Sequence, residues 1–135
     1  MESSFIGYTR GDYSSKSFQA VNPANGEKLP SHYAFASDED VNLACKLADQ
    51  ASLKLAALSG QEKAKFLKTL ANGIEEIVDD LVGVMTQETG LPELRVRGET
   101  GRTCAQLRMF AQLVEDGNWV DARIDREQPD RKPLP

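Results

Sequence analysis

The sequence predicts a mainly α-helical chain in which four helices lie between an N-terminal β-hairpin and a C-terminal strand. Apolar residues recur at helical spacing through residues 37–117. The sequence Asn-Pro-Ala-Asn-Gly at residues 22–26 is a strong turn signal between two strand-like segments. Residues 118–125 alternate apolar and polar side chains, as a half-exposed strand does. At 135 residues, the chain has the size of a single domain.

Before the helices, the sequence predicts a short strand near residues 5–8, then a loop, and then a hairpin at residues 17–36. The hairpin turn contains Pro23, which presets φ, and Gly26, which accepts a positive φ. The chain's only histidine, His32, is predicted to lie on an exposed strand. One histidine can form neither a metal site nor a catalytic triad by itself, so we assign no metal-binding residue.

Each of the first two predicted helices begins with a capping residue. Ser37 can cap the first helix, and the three carboxylates after it lie at the positive end of the helix dipole, which explains them better than metal binding does. Ser59 and Glu62 open the second helix in the S-x-x-E pattern of a capping box. The apolar stripe of the first helix consists of Val41, Ala44, Cys45, Ala48, Ala51, Ser52 and Leu55. The stripe of the second helix consists of Ala64, Leu67, Leu70, Ala71, Ile74, Ile77 and Val78.

The second, third and fourth predicted helices are separated by residues that interrupt or end a helix. Asp79 can cap a third helix that runs to Glu88, although one long helix through this region is also compatible with the pattern. Gly90 can take the left-handed conformation that ends a helix, and Pro92 suits the first turn of the next one. The fourth helix is predicted to end near residues 116–117.

The fourth helix divides into two halves. The second half has one buried stripe, formed by Cys104, Leu107, Ala111 and Val114 with Phe110 beside them. The first half is predicted to be less committed to a core, because arginines interrupt it. The arginines of this helix are Arg95, Arg97, Arg102 and Arg108. Two interpretations of them remain open, namely a solvated face or a site for an anion such as a carboxylate.

The composition argues against several classes of protein. A net charge of -5, with 40% hydrophobic and 27% charged residues, is typical of soluble globular proteins. The acidic balance and the absence of a basic cluster with interleaved aromatic residues argue against a nucleic-acid partner. No run of about 18 apolar residues is present, and no signal-peptide pattern, which argues against a membrane protein and favours the cytoplasm.

The sequence contains no complete active site. None of its glycines stands in a dinucleotide- or phosphate-binding array, and the nearest array, residues 98–102, has no strand before it. Cys45 and Cys104 fall on apolar stripes and are interpreted as reduced core residues rather than as a disulfide or a nucleophile. Adjacent carboxylates at 75–76 and 79–80 would point about 100° apart on a helix and are interpreted as solvated faces. We therefore assign no catalytic and no cofactor-binding residue.

Several segments together resemble the N-terminal part of the aldehyde dehydrogenase family. They are VNPANGEKLP (21–30), ASDEDVNLACKLADQA (36–51), QEKAKFLKTLANGIEEI (61–77), ETGLP (88–92), RGETGRTCAQLRMFA (97–111), NWVDARID (118–125) and PDRKPLP (129–135). NPANGE and ETGLP are typical of the family as a whole. RGETGRTCAQLR resembles the branch that acts on alpha-ketoglutarate semialdehyde (2,5-dioxopentanoate).

The resemblance implies an α/β parent fold and an activity that belongs to a longer enzyme. That enzyme would oxidise an aldehyde to the acid with NAD or NADP, through a cysteine thiohemiacetal, and would form a homo-oligomer. Residues 1–135 would then be an N-terminal fragment of its coenzyme-binding domain, divided into a hairpin (17–36), a helical layer (37–117), and a strand and tail (118–135) that lead toward the oligomerisation arm. Neither cysteine matches the family's nucleophile motif. The fragment alone is therefore expected to be inactive and to bind no coenzyme.

The resemblance also implies one candidate site, at the head of the fourth helix. In relatives this helix borders the aldehyde entrance tunnel, which makes Gly98 and Arg102 candidate tunnel-lining residues and Glu99 a weaker neighbour. A guanidinium here favours a substrate with a carboxylate at its far end. The alternative for Arg102 is a surface or intrachain ion pair. A different class of function also remains open, a stand-alone helical interaction or structural module without catalysis.

Overall fold

The computed structural model describes residues 2–11, 16–127, 129–130 and 132, and within them it contains four α-helices and two small β-hairpins. The mainly helical fold class is therefore confirmed. The strands are β1 (Phe5–Ile6), β2 (Thr9–Arg10), β3 (Ser17–Val21) and β4 (Lys28–Ala34). The helices are α1 (Asp38–Ala57), α2 (Gly60–Glu76), α3 (Val78–Thr89) and α4 (Glu93–Asp116), followed by a 3-10 turn (Asn118–Val120). None of the described helices is both long enough and apolar enough to span a membrane.

The N-terminal region forms two antiparallel hairpins. β1 pairs with β2, which confirms a strand near residues 5–8, while the predicted loop lies partly outside the described residues. β3 pairs with β4 and places Phe18 opposite Tyr33, with Gly26 at φ 76° in the turn, so the predicted hairpin is confirmed. His32 lies exposed on β4, as predicted.

The first helix begins as predicted, but its stripe is not buried. The Ser37 hydroxyl accepts a hydrogen bond from the backbone N–H of Asp40 (3.0 Å), and the Asp40 carboxylate accepts one from the backbone N–H of Ser37 (3.2 Å). This capping box confirms the interpretation of the acidic cluster. α1 makes its main contact with β1 rather than with another helix. Cys45 is consequently exposed, and the prediction that it is a core residue is wrong.

The core lies between α2 and α4, which pack antiparallel. Fully buried small residues, Ala64 and Ala71 on α2 and Ala111 on α4, allow the two helices to approach closely. The Cys104 thiol is buried and donates weakly to the backbone oxygen of Ala71 (3.6 Å), which confirms Cys104 as a core residue. The predicted Ser59 and Glu62 capping box at the start of α2 is also confirmed.

The first half of α4 contributes more to the core than the sequence predicted. Val96 is completely buried and Thr100 is 92% buried, and they continue the stripe of Cys104 and Ala111 toward the start of the helix. The hydroxyl of Thr100 donates to the backbone oxygen of Val96 (3.0 Å), which satisfies the one polar group that the stripe buries here. The expectation that the first half is less committed to the core than the second is therefore wrong, because a threonine that bonds its own helix can pack as an apolar residue.

Helix α3 is separate, but Asp79 does not cap it. Ile77, at φ -107° and ψ 16°, interrupts the helical conformation between α2 and α3. α3 begins without a side-chain cap. Asp79 instead forms an ion pair with Arg97 of α4 (2.8 Å). Gly90, at φ 70°, ends α3 as predicted, and Pro92 stands directly before α4.

The predicted C-terminal strand is wrong. After α4 ends at Gly117, residues 118–120 form the 3-10 turn, Asp121 takes a left-handed conformation (φ 49°), and 122–127 have no regular structure. An alternating segment becomes a strand only beside another strand, and no described strand pairs with this one. Part of the predicted extended tail (128, 131 and 133–135) lies outside the described residues.

Candidate functional site

The candidate site is the solvent side of α4 in its first three turns. Val96, Thr100 and Cys104 face the core. Because successive helical residues lie 100° apart, Gly98 and Arg102 fall on the opposite side of the helix and Glu99 falls beside them. The structure therefore brings together the three residues that the sequence singled out, on an accessible surface.

A shallow groove of about 390 Å³ opens at this surface. Its lining residues are Pro92, Leu94, Arg95, Gly98 and Glu99. Leu94 is 85% exposed and gives the groove an apolar wall. Apart from its chain neighbours and the backbone of its own helix, nothing lies within 4 Å of the position where a Cβ would stand on Gly98, so this side of the helix faces open space.

Charge at the groove comes from two arginines that share one carboxylate. Glu99 Oε1 forms an ion pair with Arg95 Nη2 (3.0 Å). Glu99 Oε2 accepts a hydrogen bond from Arg102 Nε (3.0 Å) and forms an ion pair with Arg102 Nη2 (2.8 Å). The hydrogen bond from Arg102 is the main reason why the pKa of Glu99 is lowered, and the charge of Arg95 adds to the effect. Glu99 is therefore a carboxylate held between two guanidinium groups, and Arg102 makes the intrachain ion pair that was its alternative interpretation.

The other two arginines of α4 connect helices. Arg97 pairs with Glu93 (2.7 Å) and with Asp79 of α3 (2.8 Å), and these contacts raise the pKa of Arg97. Arg108 donates to both carboxylate oxygens of Glu75 on α2 (2.7 Å each), which lowers the pKa of Glu75. The four arginines thus divide into two that link neighbouring helices and two that lie beside the groove.

Arg95 was named from the sequence as one of four arginines that could bind an anion, but not among the three candidate tunnel residues. It lines the groove, whereas Arg102 is not among the lining residues. A signal was present in the sequence, since Arg95 and Glu99 are four residues apart and Glu99 and Arg102 three apart, the two spacings at which helical side chains meet. The resemblance directed attention to Gly98 and Arg102 instead.

The described residues form no glycine-rich loop of the kind that binds a dinucleotide. Such a site places a glycine-rich loop between a parallel strand and a helix. In this structure the described strands form antiparallel hairpins, and Gly98 and Gly101 lie inside α4. The described part of the chain likewise brings no three potential metal ligands together.

The comparisons with known proteins agree on a family. The profile of the aldehyde dehydrogenase family matches residues 9–130. The chain is 40% identical to the alpha-ketoglutaric semialdehyde dehydrogenase of Acinetobacter baylyi over 131 residues, which is 97% of this chain and 25% of that protein. It is 40% identical to alpha-ketoglutaric semialdehyde dehydrogenase 2 of Azospirillum brasilense over 123 residues, which is 90% of this chain and 23% of that protein. A succinate-semialdehyde dehydrogenase [NADP(+)] of Escherichia coli K12 is 33% identical over 97 residues, which is 72% of this chain and 20% of that protein.

Solved structures show the same similarity at the level of the fold. PnpE in complex with nicotinamide adenine dinucleotide superposes with a TM-score of 0.74 at 28% identity, over 85% of this chain and 24% of that one. An E. coli NADP-dependent enzyme superposes with a TM-score of 0.77 at 27% identity, over the same shares. The chain thus spans about a quarter of the length of the proteins that it matches. Because the profile of the aldehyde dehydrogenase family matches residues 9–130, which is nearly all of the chain, the chain belongs to the aldehyde dehydrogenase family.

Proposed function

We propose that this chain supplies the N-terminal part of an NAD(P)-dependent aldehyde dehydrogenase that oxidises alpha-ketoglutarate semialdehyde to the carboxylic acid. The observation that carries the proposal is the 40% identity to two alpha-ketoglutaric semialdehyde dehydrogenases over at least 90% of the chain. In that enzyme, residues 1–135 belong to the coenzyme-binding domain, and residues 118–135 lead toward the oligomerisation arm. When bound, the coenzyme would supply the hydride acceptor, and we assign no residue of this chain to holding it.

The groove beside α4 supports a substrate of this class. Alpha-ketoglutarate semialdehyde and succinate semialdehyde, the substrates in the relatives' names, are short aldehydes with a carboxylate at the other end. A guanidinium binds a carboxylate through charge-assisted hydrogen bonds, often two in parallel. Arg102 does not line the groove, but it pairs with Glu99, which does. Arg102 is the residue that we propose contacts the remote carboxylate of the substrate.

Replacing Arg102 with alanine in the full-length enzyme tests this function. We expect the KM for alpha-ketoglutarate semialdehyde to rise about fivefold to tenfold, because the variant loses a charge-assisted contact at a partly solvated site. A neutral aldehyde of equal length should keep its KM, since it has no carboxylate to bind. Steady-state kinetics with the two aldehydes measure the difference. Equal changes for both substrates would contradict the assignment of Arg102.

A further inference from the structure

The α2 and α4 pair has two faces of different character. On one face, ion pairs join the two helices, Lys68 with Glu115 and Arg108 with Glu75, each at 2.7 Å. Because successive helical residues lie about 100° apart, apolar side chains form the opposite face of the pair. They are Phe66, Leu67, Leu70 and Ile74 of α2 and Leu107, Phe110 and Val114 of α4. We call these residues the apolar face.

The other described residues cover the apolar face only in part. Phe66 is 50% exposed and Phe110 is 49% exposed, so about half of each side chain meets water. A second groove, of about 400 Å³, opens at one end of the face, where the last turns of α1 stand beside it. Leu55 and Ala56 of α1 line this groove together with Phe66. The end of α1 therefore borders the apolar face without closing it.

The apolar face carries little charge, although the chain has a net charge of -5. Among the described residues that line the second groove, Lys63 alone is charged, and its Nζ donates to the backbone oxygen of Ala56 (3.0 Å). The ion pairs between α2 and α4 lie on the other face. Two copies of this acidic chain can therefore meet here without bringing carboxylates together, whereas a highly charged partner would find no charges to pair with.

The size and shape of the apolar face suit a second copy of the chain. The face is about 25 Å long and about 20 Å wide, from the helical rise over the 17 residues of α2 and the width of two adjacent helices. Two copies in contact through it would bury about 1,000 Å² in total, which is the lower limit for a specific interface, and the second groove adds to this area. A face of two adjacent helices is also complementary to itself, since the ridges of one copy pack into the grooves of the other.

We propose that the apolar face is the surface through which two copies of this chain associate. In this dimer, α2 and α4 of one copy lie against α2 and α4 of the other, and the four helices enclose one apolar layer. Phe66 and Phe110 are the main contacts, because a few buried side chains dominate the binding energy of an interface. The inference does not rest on the proposed function, since it uses only the surface of the 135-residue chain.

Met109 provides a matched control on α4. It is adjacent to Phe110 in the sequence and is 56% exposed, but it lies about 100° further around the helix, away from the apolar face. A lysine at residue 66, 109 or 110 adds one positive charge at a partly exposed helical position, and lysine is a good helix former. The three substitutions therefore differ mainly in whether the added charge lies within the proposed interface.

The test compares Phe66→Lys, Phe110→Lys and Met109→Lys in the 135-residue chain by sedimentation equilibrium at several protein concentrations. We expect Phe66→Lys and Phe110→Lys each to raise the dissociation constant of the dimer at least about tenfold, because each places an unpaired charge where an aromatic ring was buried. Met109→Lys should leave the dissociation constant within about twofold of the unmodified chain, as substitutions on a solvated surface usually do. Far-ultraviolet circular dichroism verifies that each variant keeps its helix content.

Hydroxyl-radical footprinting of the unmodified chain gives a second measurement, which needs no substitution. When the protein concentration rises from well below to well above the dissociation constant, oxidation of Phe66 and Phe110 should decrease and oxidation of Met109 should not. Selective protection of the two phenylalanines, together with selective weakening by their lysine variants, supports the proposal. A mass of one chain at every concentration would overturn it. Equal protection of Met109, or an equal effect of Met109→Lys, would also overturn it, because the copies would then associate through another surface.

Discussion

Gly60, the first residue of α2, lies against the backbone of α4 near its C-terminal end. A Cβ placed on Gly60 would overlap the backbone carbonyl oxygen of Val114 on α4. The neighbour is main chain, so it cannot move aside as the end of a flexible side chain could. Gly60 is therefore required for the contact that closes one end of the α2 and α4 pair.

Gly60→Ala is expected to destabilise the chain by about 1–3 kcal/mol, the usual cost of overpacking a close contact. The matched control is Gly73→Ala in the same helix, where the added Cβ would have no neighbour within 4 Å other than its adjacent residues and the backbone of its own helix. Alanine costs less conformational entropy than glycine in a helix interior, so this control should stabilise the chain by about 0.5–1 kcal/mol. Urea unfolding of both variants gives the two free energies. Changes of the same sign in both would contradict this account of Gly60.

The candidate site shows which residues a sequence can identify and which need coordinates. Gly98, Glu99 and Arg102 were named from the resemblance and stay a prediction, and the structure places them on one surface. Arg95 was not, because four arginines on one helix look alike until their partners are known. Only the position of α3 distinguishes Arg97, which reaches Asp79, from Arg95, which reaches the groove.

At the scale of the helices and strands, the sequence predicted the helix ends correctly, because these depend on neighbouring residues. It failed for features that depend on contacts between distant parts of the chain. The capping boxes at Ser37 and Ser59 were correct because each involves atoms within four residues of chain. Gly90 and Gly117 adopt positive φ where helices were predicted to end, again for a local reason. Cys45 and the 118–125 segment were wrong because burial and strand formation depend on a partner that periodicity does not identify.

The capping box of α2 predicts a dependence of stability on pH. The Ser59 hydroxyl donates to Glu62 (2.7 Å) and the Ser59 backbone N–H donates to the same oxygen (2.9 Å). These bonds, the hydroxyl first, lower the pKa of Glu62 from its ordinary value of 4.5. A carboxyl whose folded pKa is depressed stabilises the fold above its unfolded pKa, and this contribution is lost as the pH falls through the folded value. The acid-sensitive window therefore lies below pH 4.5.

Glu62→Gln is expected to reduce the loss of unfolding free energy on acidification from about pH 6 to about pH 3, because glutamine keeps the shape of the box without titrating. Some loss should remain, since Arg108 lowers the pKa of Glu75 and Arg102 lowers the pKa of Glu99 in the same direction. Urea unfolding across this pH range measures the slope. If the slope of unfolding free energy against pH were unchanged in the variant, the protonation of Glu62 would not be coupled to folding.

At the scale of the whole molecule, the architecture is open. The accessible surface is 11007 Å², whereas a compact monomer of 14.8 kDa would have about 7,000 Å². The completely buried residues are small or of medium size, namely Ala64, Ala71, Val96 and Ala111. Large apolar side chains remain uncovered on several elements, among them Leu53 on α1, Leu94 on α4 and Ile124 after it. The α2 and α4 pair therefore forms the main core, α3 packs against α4 to a lesser extent, and large apolar side chains elsewhere stay exposed.

This surface leads us to expect that the isolated 135-residue chain self-associates. Apolar side chains spread over α1, α4 and 122–127 gain free energy when a second copy removes them from water, and a hairpin with an open edge can pair with another strand. Light scattering after size-exclusion chromatography should give a mass well above 14.8 kDa, and the mass should fall on dilution because association depends on concentration. Replacing Leu53 and Leu94 with lysine should shift the equilibrium toward one chain, whereas the solvent-side control Lys65→Glu should not. A mass of one chain at high concentration would contradict the expectation, and would mean that the exposed apolar residues are too dispersed to form an interface.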